Sequence, residues 1–128
     1  MHKRHRPDGV PVPASRYSQA IETDPGLRWL YISGQVGLAA DGALAASEEG
    51  QHEQAWRNVL RLLAASGMGP GDLVRVNGYV TSAAQVPLFR KVRDRMLEGA
   101  EPASSLVVVA GLVDSRWVVE IEAVAAAR

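Results

Sequence analysis

The sequence predicts an α+β fold in which two helices cover one face of a mixed β-sheet. Two segments carry apolar residues at three- and four-residue spacing, which is typical of amphipathic helices. The segments around them alternate between apolar and polar residues or form short β-branched runs, as strands do. The predicted elements follow the order β-β-α-β-α-β-β along the chain.

Length and composition indicate one domain of ordinary size. The chain has 128 residues, of which 47% are hydrophobic and 22% charged, close to the averages of globular proteins. Residues 1–15 contain three prolines and no sustained periodicity, which predicts an irregular N-terminal segment. We therefore expect the folded domain to cover residues 16–128.

Charge and residue usage exclude several classes of function. The 14 basic side chains balance 14 acidic ones, which argues against nucleic acid as the main partner. The absence of cysteine excludes thiolate nucleophiles and zinc–thiolate sites. His2 and His5 lie in the N-terminal segment, where short tracts mimic ligand spacing, so we expect no metal site. No apolar run spans a bilayer or resembles a secretory signal, which predicts a cytoplasmic protein.

The first two strands are expected at residues 17–22 (YSQAIE) and 28–33 (RWLYIS). The turn sequence TDPG at residues 23–26 separates them, which predicts a β-hairpin. Ser33 and Gly34 end the second strand. A glycine in this place either lets a ligand or another chain approach the backbone closely or marks a bulge or turn, and the sequence leaves both alternatives open.

Two helices are predicted after these strands. The first begins at Ser47, whose side chain can cap it, and runs to about residue 66, with Trp56 on an apolar stripe that faces the core. The second runs from Val86 or Pro87 to about residue 98. Its basic residues are expected on a solvated face: Arg90, Lys91, Arg93 and Arg95.

Three further strands complete the predicted sheet. Residues 73–81 alternate and have one polar face, whereas residues 106–110 form an uninterrupted apolar run that suits a strand buried on both faces. In residues 117–125 the alternation places Glu120 and Glu122 on one face among valines. That face is either wet at these positions, or a carboxylate lines a pocket. Because two helices cover only one face of the sheet, we expect oligomerisation to cover the other.

Several short motifs in this order resemble the RidA family, also called the YjgF/YER057c/UK114 family. The resemblance covers residues 17–125 and rests on YSQA at 17–20, YISGQV at 31–36, HEQAWRNVLRLLAASG at 52–67, VNGYVTS at 76–82, the PA of PASS at 102–103 and VEIEAVA at 119–125. It implies a chorismate-mutase-like fold and a homotrimer. In that trimer three sheets form a central β-barrel, and small-molecule clefts lie between subunits.

The resemblance also implies an activity. Family members hydrolyse reactive imine and enamine metabolites to keto acids and ammonia without a cofactor, and an arginine in a Pro-Ala-Arg-Ser motif grips the substrate carboxylate. This chain has Ser104 in place of that arginine, and a hydroxyl supplies neither the charge nor the second donor of a guanidinium. The expectation is therefore either an imine deaminase of altered specificity or a trimer that binds a small metabolite without deaminating it.

Site residues follow from the same resemblance. Glu120 aligns with the glutamate that holds or activates water and is the predicted catalytic residue; its alternative is a glutamate at the rim of a subunit interface. Tyr17, Ser33, Gly34 and Ser104 are predicted to contact the substrate. Arg90 stands where the family has an asparagine that borders the cleft. It either brings a guanidinium into the cleft or faces solvent, paired with Asp94 four residues on.

Overall fold

The protein is described by a computed structural model over residues 2–128, with two helices and two sheets in that part of the chain. The helices are α1 (Glu48–Ala65) and α2 (Gln85–Leu97), and a short 3₁₀ turn spans Pro70–Asp72. The strands are β1 (Lys3–His5), β2 (Ala20–Glu22), β3 (Arg28–Gln35), β4 (Leu73–Val80), β5 (Ala103–Val108) and β6 (Val119–Ala127). The larger sheet has the order β3-β6-β4-β5, with β4 and β5 parallel and the other neighbours antiparallel. The predicted α+β class and mixed sheet are confirmed.

Helix α1 begins and ends as its sequence predicts. The Ser47 hydroxyl accepts a hydrogen bond from the backbone N–H of Gly50 at 2.9 Å, which satisfies one of the donors left free at a helix start. Beyond the end of the helix, Gly67 has a φ of 70°, a left-handed conformation that favours glycine. Trp56 and Val59 are fully buried. The apolar stripe therefore packs on the sheet as expected.

Helix α2 differs from its prediction in two respects. It begins at Gln85, so Pro87 is its third residue rather than its first, a position whose N–H is also free of intrahelical bonds. The predicted basic, solvated face is wrong for Arg93, which is only 3% exposed. The helix ends at Leu97, and the next residue, Glu98, adopts a left-handed φ of 49° before Gly99.

The core lies between the helices and one face of the larger sheet. The inward side chains of β4 and β6, Val76, Val80, Val119, Ile121 and Ala123, are at most 3% exposed. Trp56 and Phe89 close the core from the helices, with ring centroids 6.3 Å apart. Gly78 leaves room for Phe89, because a Cβ there would lie 2.5 Å from the ring.

The opposite face of the sheet carries no helix. Tyr31 on β3 is 76% exposed, and Val107 on β5 is 46% exposed. The expectation that residues 106–110 form a strand buried on both faces is therefore wrong for the single chain. Strand β5 lies at the edge of the sheet, where only one side chain in two can reach the helices.

The predicted hairpin between residues 17–22 and 28–33 does not form. Strand β3 pairs instead with β6, because its eight residues find a long, mostly buried partner there. Strand β2 pairs with β1. The sequence predicted an irregular N-terminal segment, and this prediction is wrong for the residues of β1. Lys3 lies across from Glu22 in this small sheet, so opposite charges face each other. His5 Nε2 lies 2.6 Å from the same Glu22 carboxylate.

In the part of the chain that the structure describes, no helix combines the length and apolar character needed to cross a membrane.

Candidate functional site

A cavity of about 370 Å³ lies beside the edge strand β5 and helix α2. Three of the predicted substrate-binding residues, Tyr17, Arg90 and Ser104, line it together. Its volume lies within the range of small-molecule sites. The full lining is Ala14, Ser15, Tyr17, Arg90, Arg93, Ser104, Ser105, Leu106 and Val107.

Tyr17 reaches this cavity because the chain beside it is tied to the start of β5. The backbone N–H of Ser18 donates to the carbonyl of Pro102 at 3.1 Å, and the Ser18 hydroxyl donates to the carbonyl of Glu101. Ser18 also forms an isolated parallel bridge with Ala103 and is 2% exposed. This buried connection holds Tyr17 next to the strand that carries Ser104.

Ser104 points to the helix side of the sheet. In the parallel pairing of β4 and β5 it lies beside Val76, whose side chain is buried under the helices. Arg90 approaches the same cavity from α2. Of the two alternatives for Arg90, the pairing with Asp94 is wrong, because the ion pair of Asp94 is made by Arg93 at 2.9 Å.

Sequence reasoning missed Arg93 as a cavity residue. Its Nε donates to Asp94 Oδ1 at 3.0 Å and its Nη2 donates to the Ser15 hydroxyl at 3.1 Å. A signal was present in the sequence, since Phe89, Arg93 and Leu97 are four residues apart and therefore share one face of the helix. A cation in the middle of an apolar stripe must be buried with a partner.

Glu120 and Gly34 form a second group on the open face of the sheet. The pairing of β3 with β6 shifts between Ile32 and Gln35, which places Ser33 and Gly34 in a bulge. A Cβ built on Gly34 would lie 2.1 Å from Oε2 of Glu120 and 2.7 Å from its Cδ. The glycine is thus a bulge residue, and its close neighbour in this chain is the Glu120 carboxylate.

The two glutamates of β6 have different surroundings. Glu122 accepts hydrogen bonds from Asn77 Nδ2, at 3.1 Å, and from the Tyr79 hydroxyl. The bond to Glu122, together with burial, raises the pKa of Tyr79 above its ordinary value of 10.0. Glu120 is half-buried opposite Tyr79 and takes part in none of the hydrogen bonds or ion pairs formed within residues 2–128. Its carboxylate is free to bind water or a ligand.

The predicted site residues therefore fall into separate groups in one chain. Tyr17, Arg90 and Ser104 line the cavity at β5, whereas Glu120 and Gly34 meet on the open face. Ser33 lines another depression on that face, about 320 Å³ in volume, together with Glu122 and others. Within residues 2–128, no three His, Cys, Asp or Glu side chains come together in a way that could hold a metal ion.

His52 is a further buried polar residue, fully enclosed between the helices. Gln85 donates through its Nε2 to Glu48 at 2.7 Å, so its Oε1 accepts from Nε2–H of His52 at 2.9 Å. The Nδ1 atom has no partner within the described residues. Burial lowers the pKa of His52 below its ordinary value of 6.5, which keeps the ring neutral.

Comparison with known proteins identifies the family. The chain matches the Endoribonuclease L-PSP family over residues 8–127. The solved structure of YyfB from Yersinia pestis, a protein of the conserved Rid family, superposes with a TM-score of 0.87 at 31% identity and covers 97% of each chain. The chain belongs to the RidA family. The resemblance read from its motifs is confirmed.

Two curated relatives cover nearly the whole chain. Protein DfrA of Myxococcus xanthus is 33% identical over 122 residues, which are 92% of this chain and 90% of that protein. The 2-iminobutanoate/2-iminopropanoate deaminase of Dermatophagoides farinae is 29% identical over 117 residues, which are 90% of this chain and 88% of that enzyme. RidA membership thus extends over the residues that form both groups described above.

Proposed function

We propose that this protein hydrolyses a small reactive imine or enamine in a cleft formed between two copies of the chain. One copy contributes the cavity with Tyr17, Arg90 and Ser104, and the next contributes Gly34 and Glu120 from its open sheet face. The separation of the two groups within one chain supports this arrangement. The exposed Tyr31 and Val107 on the uncovered face support a homotrimer, in which such apolar surface is buried.

The proposed chemistry needs only water and a carboxylate. Glu120 takes a proton from a bound water molecule, whose oxygen forms a bond to the imine carbon. The same proton then passes to the nitrogen, which gives a carbinolamine. Glu120 next takes the proton of the new hydroxyl and delivers it to the nitrogen, so that the carbon–nitrogen bond breaks, the carbonyl forms and ammonia leaves. General base catalysis of this kind contributes about 10²- to 10⁴-fold to a rate.

One observation carries the proposal. The Glu120 carboxylate packs on the backbone of Gly34 and takes part in none of the hydrogen bonds or ion pairs within residues 2–128, whereas Glu122, two residues along the same face, is held by Tyr79 and Asn77. Two donors occupy Glu122 Oε1, whereas both oxygens of Glu120 are available to accept a hydrogen bond from water. Glu120 is therefore the better placed of the two to take a proton from water.

The test generates 2-iminopropanoate in situ with an amino-acid dehydratase and follows its loss. Wild-type protein is expected to accelerate the loss, and Glu120→Gln to lower the rate by about 10²- to 10⁴-fold. Glu122→Gln is the matched control, since it makes the same chemical change on the same strand, and a smaller loss is expected. Equal rates for wild type and Glu120→Gln would remove Glu120 from the mechanism.

Binding without catalysis is the second candidate function, and Ser104 favours it. The hydroxyl at this position cannot grip a carboxylate as a guanidinium does. If wild-type protein leaves the imine untouched while Ser104→Arg accelerates its loss, the native protein is a metabolite-binding member of the family. Sedimentation should give the mass of three chains, and a monomer would reject the shared cleft.

An RNA substrate fits less well, although the family description names an endoribonuclease. The formal net charge of the chain is zero, whereas binding to the phosphate backbone of a nucleic acid depends largely on an excess of basic side chains.

A further inference from the structure

Arg93 is the one buried basic side chain on the cavity lining, with 3% of its surface exposed. Arginine is seldom buried to this degree unless a partner balances its charge, because removing a cation from water costs free energy. Its only ion pair within residues 2–128 is with Asp94, whose side chain remains 34% exposed. The guanidinium is therefore held by a single carboxylate and lines a cavity large enough for a metabolite.

The contacts of Arg93 leave one of its nitrogens without a partner within the described residues. Nε and Nη2 are engaged by Asp94 Oδ1, at 3.0 and 2.9 Å, and Nη2 also donates to the Ser15 hydroxyl at 3.1 Å. No hydrogen bond within the described residues uses Nη1. Because the Ser15 oxygen accepts from Arg93, its own hydrogen is free to donate. A fixed guanidinium with a free nitrogen and a neighbouring hydroxyl matches the two oxygens of a carboxylate.

Arg90 lines the same cavity without such support. It is half-buried and takes part in none of the ion pairs or side-chain hydrogen bonds within residues 2–128. A side chain that must be ordered on binding loses rotamer freedom, which offsets part of the interaction. A guanidinium that is already fixed loses less, and burial strengthens its attraction for an anion.

We infer that Arg93 on α2, rather than a residue of β5, holds the carboxylate of the substrate. Ser104 does not supply the positive charge that the family arginine carries at this position. That charge then comes from Arg93, on the helix that faces Ser104 across the cavity. Arg90 adds a second positive charge at the same cavity and leaves its net charge positive. The ligand class is a small imino or keto acid that carries a carboxylate. This inference rests on the proposed cleft, but it concerns binding and not hydrolysis.

Binding of unreactive probes separates this inference from the proposed reaction. The probes are 2-oxobutanoate and its neutral amide, 2-oxobutanamide, titrated into the full-length protein and followed by NMR chemical shifts. We expect wild-type protein to prefer the carboxylate. Arg93→Gln should weaken 2-oxobutanoate binding by about 10- to 100-fold, the range for a charge-assisted hydrogen bond, and leave binding of the amide nearly unchanged.

Matched variants complete the design. Arg90→Gln makes the same change in the same cavity, and a loss below about 5-fold is expected because this side chain is not fixed. Arg95→Gln changes an exposed arginine on α2 that pairs with Glu53 outside the cavity, and no change in affinity is expected. Ser15→Ala removes one donor to the ligand and one contact of Arg93. It should therefore weaken binding of 2-oxobutanoate several-fold. It tests the inference if Arg93→Gln does not fold.

Two outcomes overturn the inference. The first is equal affinity of wild-type protein for the carboxylate and the amide. The second is a larger loss of carboxylate affinity from Arg90→Gln than from Arg93→Gln. If Arg93→Gln does not fold, unchanged carboxylate binding in Ser15→Ala takes the place of this second outcome. If the protein prefers the carboxylate through Arg93 but does not hydrolyse imines, the proposed reaction is rejected. Arg93 then remains the residue that binds the carboxylate.

Discussion

Substitution of Gly34 by alanine tests how the Glu120 carboxylate is positioned. The added Cβ would lie 2.1 Å from Oε2 of Glu120, whereas ordinary contacts begin at 3.4 Å. The neighbouring atoms belong to the end of a flexible side chain, so the carboxylate rather than the sheet is expected to move. The displacement needed is about 1 Å, and a misplacement of this size can cost about 10²-fold in rate.

The expected result is a selective loss of activity. Imine hydrolysis by Gly34→Ala should fall about 10²-fold, equivalent to about 2.7 kcal/mol of activation free energy. The free energy of unfolding should change by less than about 1 kcal/mol, because φ at Gly34 is not in the left-handed region and alanine restricts the unfolded chain. Urea denaturation measures this second quantity. Gly71→Ala is the control, since no atom lies within 4 Å of the added Cβ.

A double-mutant cycle isolates the cause. If Gly34 acts only through Glu120, Gly34→Ala should have little further effect in a protein that already carries Glu120→Gln. Retention of wild-type activity by Gly34→Ala, or an equal loss in both backgrounds, would refute the argument that this glycine exists to seat the carboxylate.

Two further predictions concern stability. Gly78→Ala should lower the free energy of unfolding by about 1–3 kcal/mol in urea denaturation, because its Cβ would lie 2.5 Å from the buried Phe89 ring; a change below about 0.5 kcal/mol would show that the ring adapts. Stability should also decrease as the pH falls below 6.5, since the unfolded chain protonates His52 there while burial lowers the pKa of the folded ring. The fall should be smaller in His52→Gln, and identical slopes for the two proteins would disprove the contribution of this histidine.

Local patterns predicted the helices well because the information lies within each segment. The cap at Ser47, the apolar stripe through Trp56 and the glycine after α1 are all set by neighbours in sequence. The hairpin prediction was wrong because the pairing of β3 is decided by residues far away in the sequence. The turn at residues 23–26 reverses the chain, but the partner of β3 is β6, and no local signal specifies a pairing across so many residues.

Part of the candidate site could likewise be predicted from the sequence, and part could not. Family motifs predicted that Tyr17 and Ser104 would come together, which spacing along the chain could not show. Arg93 was missed because four basic residues in one short stretch suggest a solvated face, and charge alone hides the spacing that places one of them in the core. Which copy would supply each wall of the proposed cleft depends on assembly, and the sequence of one chain does not encode it locally.

The connection between Ser18 and the start of β5 affects when the ligand cavity can form during synthesis and folding. It joins residues 83 positions apart, so this attachment of the cavity wall that carries Tyr17 cannot form until the first residues of the last quarter of the chain have left the ribosome. Contacts this distant in sequence require a large loop to close before they stabilise anything, and they form late in folding. An incomplete or partly folded chain therefore presents no ligand cavity, and binding of a small acid would report on completed folding.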